Sequence, residues 1–392
     1  MSKKTVIHLG ISGFPFGFAP IQRVRLVFKA LQIGGLFPLV ISKNSPHSRA
    51  DLKKTGRHDG IPYLYTSKKI RRPDNFVARN LNKVSGYAGE LAVLFKKRKK
   101  IIAAILYTPS FYELVYYRVV STLFRFKLVI QYVEFRSSIA DRKDALTILN
   151  DRMFDRYSFF FCDGVIAISD FLRDHVASRS GRTPVIKVPA INDFDTAIDT
   201  PAKEKEPYLM YCGTIDYLEV IEFILDIFSA LKKRGDYGGR LLLIISGSNP
   251  GNRERLRSHL AQMPFADSVD IKSSIKYEEL LSFYGGADLL MIPLRDSIQD
   301  RARFPHKIGE YTASKRPILS TNVGEMSIYF KDGVSAILAN EYSIEAYVKT
   351  LSGYLTSGDL SDIGINGYQV GIAHFHYACY AKSLVDFVSS LS

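Results

Sequence analysis

Little in this 392-residue chain could serve a covalent or a membrane-spanning scaffold. Its three cysteines, Cys162, Cys212 and Cys379, are odd in number and widely spaced, which argues against a disulfide framework and against a Cys-x-x-Cys metal site. Buried, reduced thiols are expected instead. No apolar run approaches the ~20 residues that a membrane-spanning helix needs, and Lys3-Lys4 leads into a strand-like segment rather than a signal peptide. A cytoplasmic protein is expected. Acid is also scarce in one half: residues 1–200 hold 33 Lys+Arg against 16 Asp+Glu, a net +17, which leaves 20 against 23, a net −3, for residues 201–392. Such asymmetry turns the first half toward something anionic, whether a membrane surface, a lipid diphosphate or nucleic acid, or else marks a Lys-rich soluble surface.

What is present is a chain that is 46% hydrophobic and too long for a single core, so two domains are expected. Thr5 to Gly10 is a short apolar strand, Ile11 to Pro20 a Gly/Pro loop, and a helix with Val24, Phe28 and Leu31 on one face stops at Gly34-Gly35 before a strand from Phe37 to Ser42. This is a βαβ unit, the start of a doubly wound sheet. The loop is not a Gly-x-Gly-x-x-Gly fingerprint and no suitably placed acid follows the second strand, so NAD and FAD are not the expected ligands. Its glycines, Gly17 among them, still allow close backbone approach to a ligand.

Residues 43–100 are polar and basic, with a weak element pattern apart from Ile61 to Thr66. The run Lys96 to Lys100 precedes the Ile101 to Tyr107 strand and reads either as a charged helix end or as a rim that touches anionic lipid. An aromatic helix from Phe111 to Phe126 is core in character. The strand Leu128 to Val133 ends at Glu134, a carboxylate placed to orient a substrate hydroxyl or to pair with Arg136 or Arg142. After Ala145 to Phe160, a glycine turn at Gly164 feeds a short strand and then a helix capped by Ser169 or Asp170. Val185 to Pro189 closes the first domain, and Asn192 to Pro207 reads as a linker.

The second half begins the same architecture again, from the strand Tyr208 to Cys212 through a strand that ends at Ser246-Gly247. Its organising stretch is Gln299 to Gly324, which follows the apolar run Ala287 to Leu294. Pro305 suits the first turn of a helix through Ile308, Glu310, Tyr311 and Ala313, whose free N–H groups favour an anion. Arg303, His306 and Lys307 stand beside it; Lys307 could neutralise a diphosphate while Glu310 accepts hydrogen bonds from a diol.

The segments Tyr211-Cys212-Gly213, Ile244-Ile245-Ser246-Gly247, Tyr277-Glu278-Glu279-Leu280, Gly286-Ala287-Asp288, Phe304 to Tyr311, Lys315 to Gly324 and Lys331-Asp332-Gly333 together resemble the nucleotide-sugar domain of retaining GT-B glycosyltransferases of the group-one, family-four type. Order and spacing agree over residues 208–340. The first half is similar more loosely, through its glycine loop and Asp163 to Ser169, and the segment from Ala373 onward resembles the family's returning C-terminal helix.

The resemblance implies an α/β fold of two Rossmann-like doubly wound domains facing across a cleft: residues 1–192 for the acceptor, 206–372 for the donor, and a helix at 373–392 packing back on the first. It implies transfer of a sugar, with retention, from a nucleoside-diphosphate sugar to a hydroxyl of a lipid-linked or saccharide acceptor, in cell-surface polysaccharide or glycolipid assembly. No cofactor and no metal are implied; the basic first half adds an anionic membrane surface on the cytoplasmic side as a peripheral contact, and the lack of a recognition motif leaves no nucleic-acid partner expected. The donor residues implied are Gly17, Gly213, Thr214, Ser246, Gly247, Pro305, His306, Ile308 and Glu310, with Lys307, Arg303 and Glu134 as the catalytic groups.

Departures are equally visible. Family members commonly pair two acids eight positions apart; Glu310 fills the second place, but Ala302 occupies the first. The usual Arg and Lys after the strand-end glycine are Thr214 and, approximately, Glu219, so Arg303 and Lys307 are the natural substitutes. Many members carry a His where this chain has Tyr132-Val133-Glu134. The lone Asp-x-Asp, Asp193-Phe194-Asp195, lies in the linker rather than after a core strand, and His374 and His376 stand two apart, so neither reads as a metal site. Two other readings follow: a GT-B-shaped partner subunit without activity, suggested by the missing groups, and a nucleic-acid binder, suggested by charge alone and lacking any recognition motif.

Overall fold

The computed structural model describes residues 4–17, 19–44, 52–139, 142, 144–195, 206–357 and 360–391. The chain divides into two compact units: Met1–Ile191 with Ala302–Phe304 and His376–Ser392, and Asn192–Arg301 with Pro305–Phe375.

The first unit begins with β1 (Thr5–Leu9), α1 (Ala19–Ile33), β2 (Phe37–Ser42), β3 (Thr55–His58), β4 (Ile61–Tyr65) and α2 (Phe76–Lys97). It continues with β5 (Ile101–Leu106), α3 (Phe111–Phe124), β6 (Lys127–Tyr132), α4 (Ala145–Tyr157), β7 (Gly164–Ala167), α5 (Asp170–Ser180) and β8 (Val185–Lys187). The strands form one sheet in the order β3-β4-β2-β1-β5-β6-β7-β8, parallel except for the β3–β4 hairpin. The order reverses between β1 and β5, the kind of point where ligands of open α/β sheets gather. At that point Gly10 has φ +87° and a Cβ on it would lie 2.2 Å from the Tyr107 carbonyl oxygen, so only glycine lets the chain leave β1 so close to the end of β5.

Near-continuous Val/Ile/Leu strands follow from burial on both faces. One face packs Val6, Val40, Ile105, Val129 and Ile166 against Val24, Phe28 and Leu31 of α1. Side-chain caps fix the helix starts: Asn75 accepts from Val77 and Ala78 N–H groups, Ser110 from Glu113, Asp144 from Thr147 and Ser169 from Leu172. Lys43, just past β2, is buried; its Nζ donates to Glu113 Oε1 at 2.5 Å and to the Tyr117 hydroxyl at 2.6 Å, and that hydroxyl donates to the buried Glu90 at 2.9 Å. This network ties α2 and α3 to the sheet.

The second unit contains β9 (Tyr208–Thr214), α6 (Leu218–Arg234), β10 (Arg240–Ser246), α7 (Pro250–Gln262), β11 (Val269–Lys272), α8 (Tyr277–Gly286) and β12 (Leu289–Met291). Then come α9 (Ile298–Ala302), α10 (Lys307–Ala313), β13 (Ile318–Thr321), α11 (Glu325–Tyr329), β14 (Ile337–Ala339), α12 (Ile344–Ser357) and α13 (Ser361–Phe375). Its all-parallel sheet runs β11-β10-β9-β12-β13-β14, again reversing beside the first strand. Leu209, Leu241, Leu243 and Leu319 of the sheet pack with Ile221, Ile224, Leu225 and Phe228 of α6 and Tyr347 and Leu351 of α12.

The chain returns to the first unit at His376, and α14 (Ala381–Ser390) seats Leu384 and Val388 in the first core. The boundaries differ slightly from those expected. Asn192 groups with the second unit, where its Nδ2 donates to the Gly309 carbonyl at 3.1 Å and its N–H to the Phe375 carbonyl at 2.7 Å. Phe375, packed against Tyr329 at 5.0 Å, ends α13 rather than starting the returning helix. Most of the linker expected at Asn192 to Pro207 lies outside the described residues.

Two sequence expectations need correction. Residues 76–97 form a 22-residue helix in a region whose pattern looked weak. The period is present, but an apolar stripe lies on the outer side: the buried face carries Asn82, Gly86, Glu90 and Leu94, while Val77, Leu81 and Val84 point outward. Of the three free thiols, only Cys162 is buried; Cys212 is half-buried and Cys379 exposed.

Candidate functional site

In the second unit, β9 and β12 are neighbours while the chain between them passes through β10 and β11, so the carboxyl end of β9 lies at the reversal of the sheet. There Ser246 Oγ donates to the Gly213 carbonyl at 3.1 Å, which locks the end of β10 to the end of β9. Gly247 has φ +92°, and a Cβ on it would meet Thr214 Oγ1 at 2.9 Å, so this turn requires glycine. Thr214 caps the short turn after β9, its Oγ1 lying 3.2 Å from Asp216 Oδ2. Gly213, Thr214, Ser246 and Gly247 are therefore brought together at this edge.

α10 lays its side chains against this edge. The Cys212 N–H donates to the Tyr311 hydroxyl at 3.1 Å, and the Tyr311 ring meets that of Tyr284 edge-on, 5.1 Å between centroids. The Tyr284 hydroxyl donates to Glu310 Oε2 at 3.2 Å and the Tyr277 hydroxyl to Oε1 at 3.4 Å. Burial raises the Glu310 carboxyl above its ordinary value, an effect opposed by the charge of Lys307 and by the two tyrosine hydroxyls. Burial likewise raises the Cys212 thiol, again opposed by Lys307. Lys307 thus acts electrostatically on both Glu310 and the end of β9. A carboxylate offers about four lone-pair positions; two are used by the tyrosines, which leaves capacity for a vicinal diol.

The rest of the expected clamp is rearranged. α10 begins at Lys307, with His306 as its N-cap residue, rather than at Pro305. The N–H of Ile308 donates to the Pro305 carbonyl at 3.0 Å and that of Gly309 to the His306 carbonyl at 3.1 Å, so these two are spent within the turn. Ile308 is fully buried. Ala302 to Phe304 group with the first unit, where Ser169 Oγ donates to the Ala302 carbonyl at 2.5 Å. Arg303 is therefore described with that unit, not with Lys307, and the stretch read as one continuous clamp is divided between two bodies.

Gly17 and Glu134 also belong to the first unit. Gly17 precedes α1, where a Cβ would lie 2.5 Å from Ile21 Cγ1; the glycines of that loop with positive φ are Gly10 and Gly13. Glu134 lies beyond the end of β6, near enough to help raise the Tyr107 hydroxyl, chiefly raised by burial. The arginines considered as its partners are held elsewhere: Arg136 Nε donates to Asp151 Oδ1 at 2.9 Å and Arg142 Nε to Asp151 Oδ2 at 3.1 Å.

Three groups at the second unit's edge escaped the sequence reading. Tyr277 and Tyr284 stand seven apart on α8, one helical face, and that spacing was the available signal for their joint grip on Glu310. Arg295 lies just past β12, a strand-end cation of the kind sought; it pairs with Asp300 Oδ2 and Glu219 Oε2, each at 3.2 Å. Glu219, standing where a phosphate-binding Lys was looked for, thus consumes a cation instead of supplying one.

With this geometry in place, the comparisons are informative. Residues 193–369 match the family model described as "Glycosyl transferases group 1". A curated relative, the D-inositol 3-phosphate glycosyltransferase of Streptomyces scabiei, is 23% identical over 156 residues, covering 38% of this chain and 34% of that protein, so the match spans about a third of the relative's length. Among solved structures, the sucrose-phosphate synthase of Thermosynechococcus elongatus superimposes with a TM-score of 0.75 at 14% identity, covering 99% of each chain. Anabaena HepE, in complex with UDP and glucose, gives 0.70 at 12% identity, covering 99% of this chain and 100% of that one. The fold is the two-Rossmann-domain fold of GT-B glycosyltransferases.

Proposed function

We propose that the protein transfers a hexosyl group, with retention, from a nucleoside-diphosphate sugar to an acceptor hydroxyl. The observation that carries this reading is the Lys307–Glu310 pair at the carboxyl end of β9, inside the segment matched by the group 1 model. Glu310, oriented by Tyr277 and Tyr284, accepts hydrogen bonds from the ribose diol, while Lys307 supplies positive charge for the diphosphate.

In the reaction, the bond between the sugar's C1 and the diphosphate oxygen breaks, its electron pair leaving with the oxygen. The acceptor oxygen then bonds to C1 on the same face, and its proton passes to the departing phosphate. Lys307 stabilises the negative charge that grows on the leaving group, the type of electrostatic contribution worth about 3–4 kcal/mol for a single well-placed donor. The acceptor is a saccharide or lipid-linked saccharide, consistent with assembly of a surface polysaccharide or glycolipid.

A second reading, a binding subunit without activity, is favoured by one observation: Ala302, a fully buried residue without a carboxyl, stands eight positions before Glu310, where related sequences commonly carry an acid. Donor hydrolysis and transfer, measured for the parent, Lys307→Ala and Glu310→Gln, separate the two. An enzyme loses turnover in both variants, whereas a binding subunit shows none in the parent.

A further inference from the structure

The helix α2 turns a long apolar stripe outward. At Val77, Leu81, Val84 and Phe95 the side chains are 63%, 65%, 65% and 55% exposed, and the exposed Ala88 and Ala92 fill the same stripe between them. The positions 77, 81, 84, 88, 92 and 95 follow the helical three-or-four-residue period, so this is one face running the length of the helix. The opposite face, against the domain, buries Asn82, Gly86 and Leu94 together with Glu90, whose carboxylate is held by the Lys43–Tyr117 network. By contrast α6, in the second unit, has the ordinary arrangement, with Ile221, Ile224, Leu225 and Phe228 buried.

The stripe extends onto α3. Phe95 meets Phe124 edge-on at 6.2 Å and Tyr87 meets Tyr116 at 5.3 Å, so the helices are neighbours, and Val119 and Leu123 of α3 are exposed as well. Basic side chains border this face at both ends: Arg79 lies over the Phe76 ring at 5.5 Å and Arg98 over the Phe95 ring at 3.9 Å, with Lys96, Lys97, Lys99 and Lys100 adjoining the latter. An apolar stripe with a cationic border, on a helix that cannot cross a bilayer, is the pattern of an element that lies in the plane of lipid headgroups.

We propose that the outward face of α2, extended by Val119 and Leu123 of α3, docks the protein on an anionic lipid bilayer. The apolar stripe enters the headgroup–acyl boundary while the arginines and lysines at its ends meet lipid phosphates. Charge selects this occupant over a second copy of the chain: residues 1–200 carry 33 basic against 16 acidic side chains, a net +17, and pairing two such faces would bring their cationic borders together. This inference does not depend on the donor site.

The test is co-sedimentation of the full chain, without nucleotide, with vesicles of phosphatidylcholine and with vesicles containing phosphatidylglycerol. We expect binding to the anionic vesicles and at least tenfold weaker binding to the neutral ones. The double substitution Leu81→Glu with Val84→Glu, at exposed positions, should leave the melting temperature unchanged and reduce vesicle binding more than tenfold. Lys96→Gln with Lys97→Gln should weaken anionic binding several-fold and flatten its salt dependence. Equal binding or no binding to both vesicle types would overturn the proposal, as would an unaltered double-Glu variant. So would light scattering that shows a dimer which the double-Glu change dissociates.

Discussion

The Tyr284 hydroxyl lies 3.2 Å from Glu310 Oε2, donating from α8 to a carboxylate on α10 across 26 residues of chain. That bond fixes the rotamer of the one acid at the edge of β9 that the proposed reading needs. Removing the hydroxyl leaves the ring, and with it the edge-on contact to Tyr311. A hydrogen bond to a charged group is worth about 1.5–3 kcal/mol. We therefore expect Tyr284→Phe to weaken nucleotide-sugar binding roughly tenfold or more, measured by calorimetry, with little change in the fold as judged by circular dichroism.

Glu310 also links function to stability. Burial holds its carboxyl above the ordinary value, so the folded state binds that proton more tightly than the unfolded chain. Stability from this group is present below the ordinary carboxylate range and is lost as pH rises through the raised value. Glu310→Gln escapes that loss. Its melting temperature should equal or exceed that of the parent at pH 7, with the advantage shrinking toward pH 4; a variant less stable at pH 7 than at pH 4, relative to the parent, would contradict this.

Glu90 makes a parallel case in the first unit. Burial raises it to about 7, against the opposing effects of Lys43 and Tyr117. The sign is the same: the folded chain holds the proton, and stability falls as pH climbs from the ordinary value of 4.5 to about 7. A shift of this size corresponds to a loss on the order of 3 kcal/mol. Urea midpoints at pH 5, 6, 7 and 8 should fall with pH for the parent and flatten for Glu90→Gln.

Much of the fold was legible because its signals are local. Strands buried on both faces read as continuous apolar runs, such as Leu241 to Ile245, and glycine turns such as Ser246-Gly247 punctuate them. α2 was passed over although Val77, Leu81, Val84, Ala88, Ala92 and Phe95 keep the helical period, because Asn80, Asn82, Ser85, Gly86 and Gly89 between them are weak helix formers that dilute the pattern. The edge at the end of β9 was half visible. Glu310 and Lys307 stood in a recognisable stretch, and the structure places both at the end of β9. What sequence adjacency could not show is that residues 302–304 and 305–310 belong to different compact units, or that the turn at Pro305 would use up the N–H groups of Ile308 and Gly309. Partners remote in sequence, such as Tyr277 with Glu310 and Glu219 with Arg295, depend on the tertiary fold and leave at most a spacing as their trace.

The central claim is that the edge of β9, through Lys307 and Glu310, holds a nucleoside-diphosphate sugar. It is tested most directly by thermal shift with UDP-, GDP- and ADP-sugars on the parent, Lys307→Ala and Glu310→Ala. At 100 times the dissociation constant a ligand adds about 2.7 kcal/mol to the stability of the state that binds it. We expect one nucleotide class to raise the parent's melting temperature by several degrees, and neither variant to respond at the same concentration. A parent that responds to none of the three classes, or variants that respond as the parent does, would contradict the account.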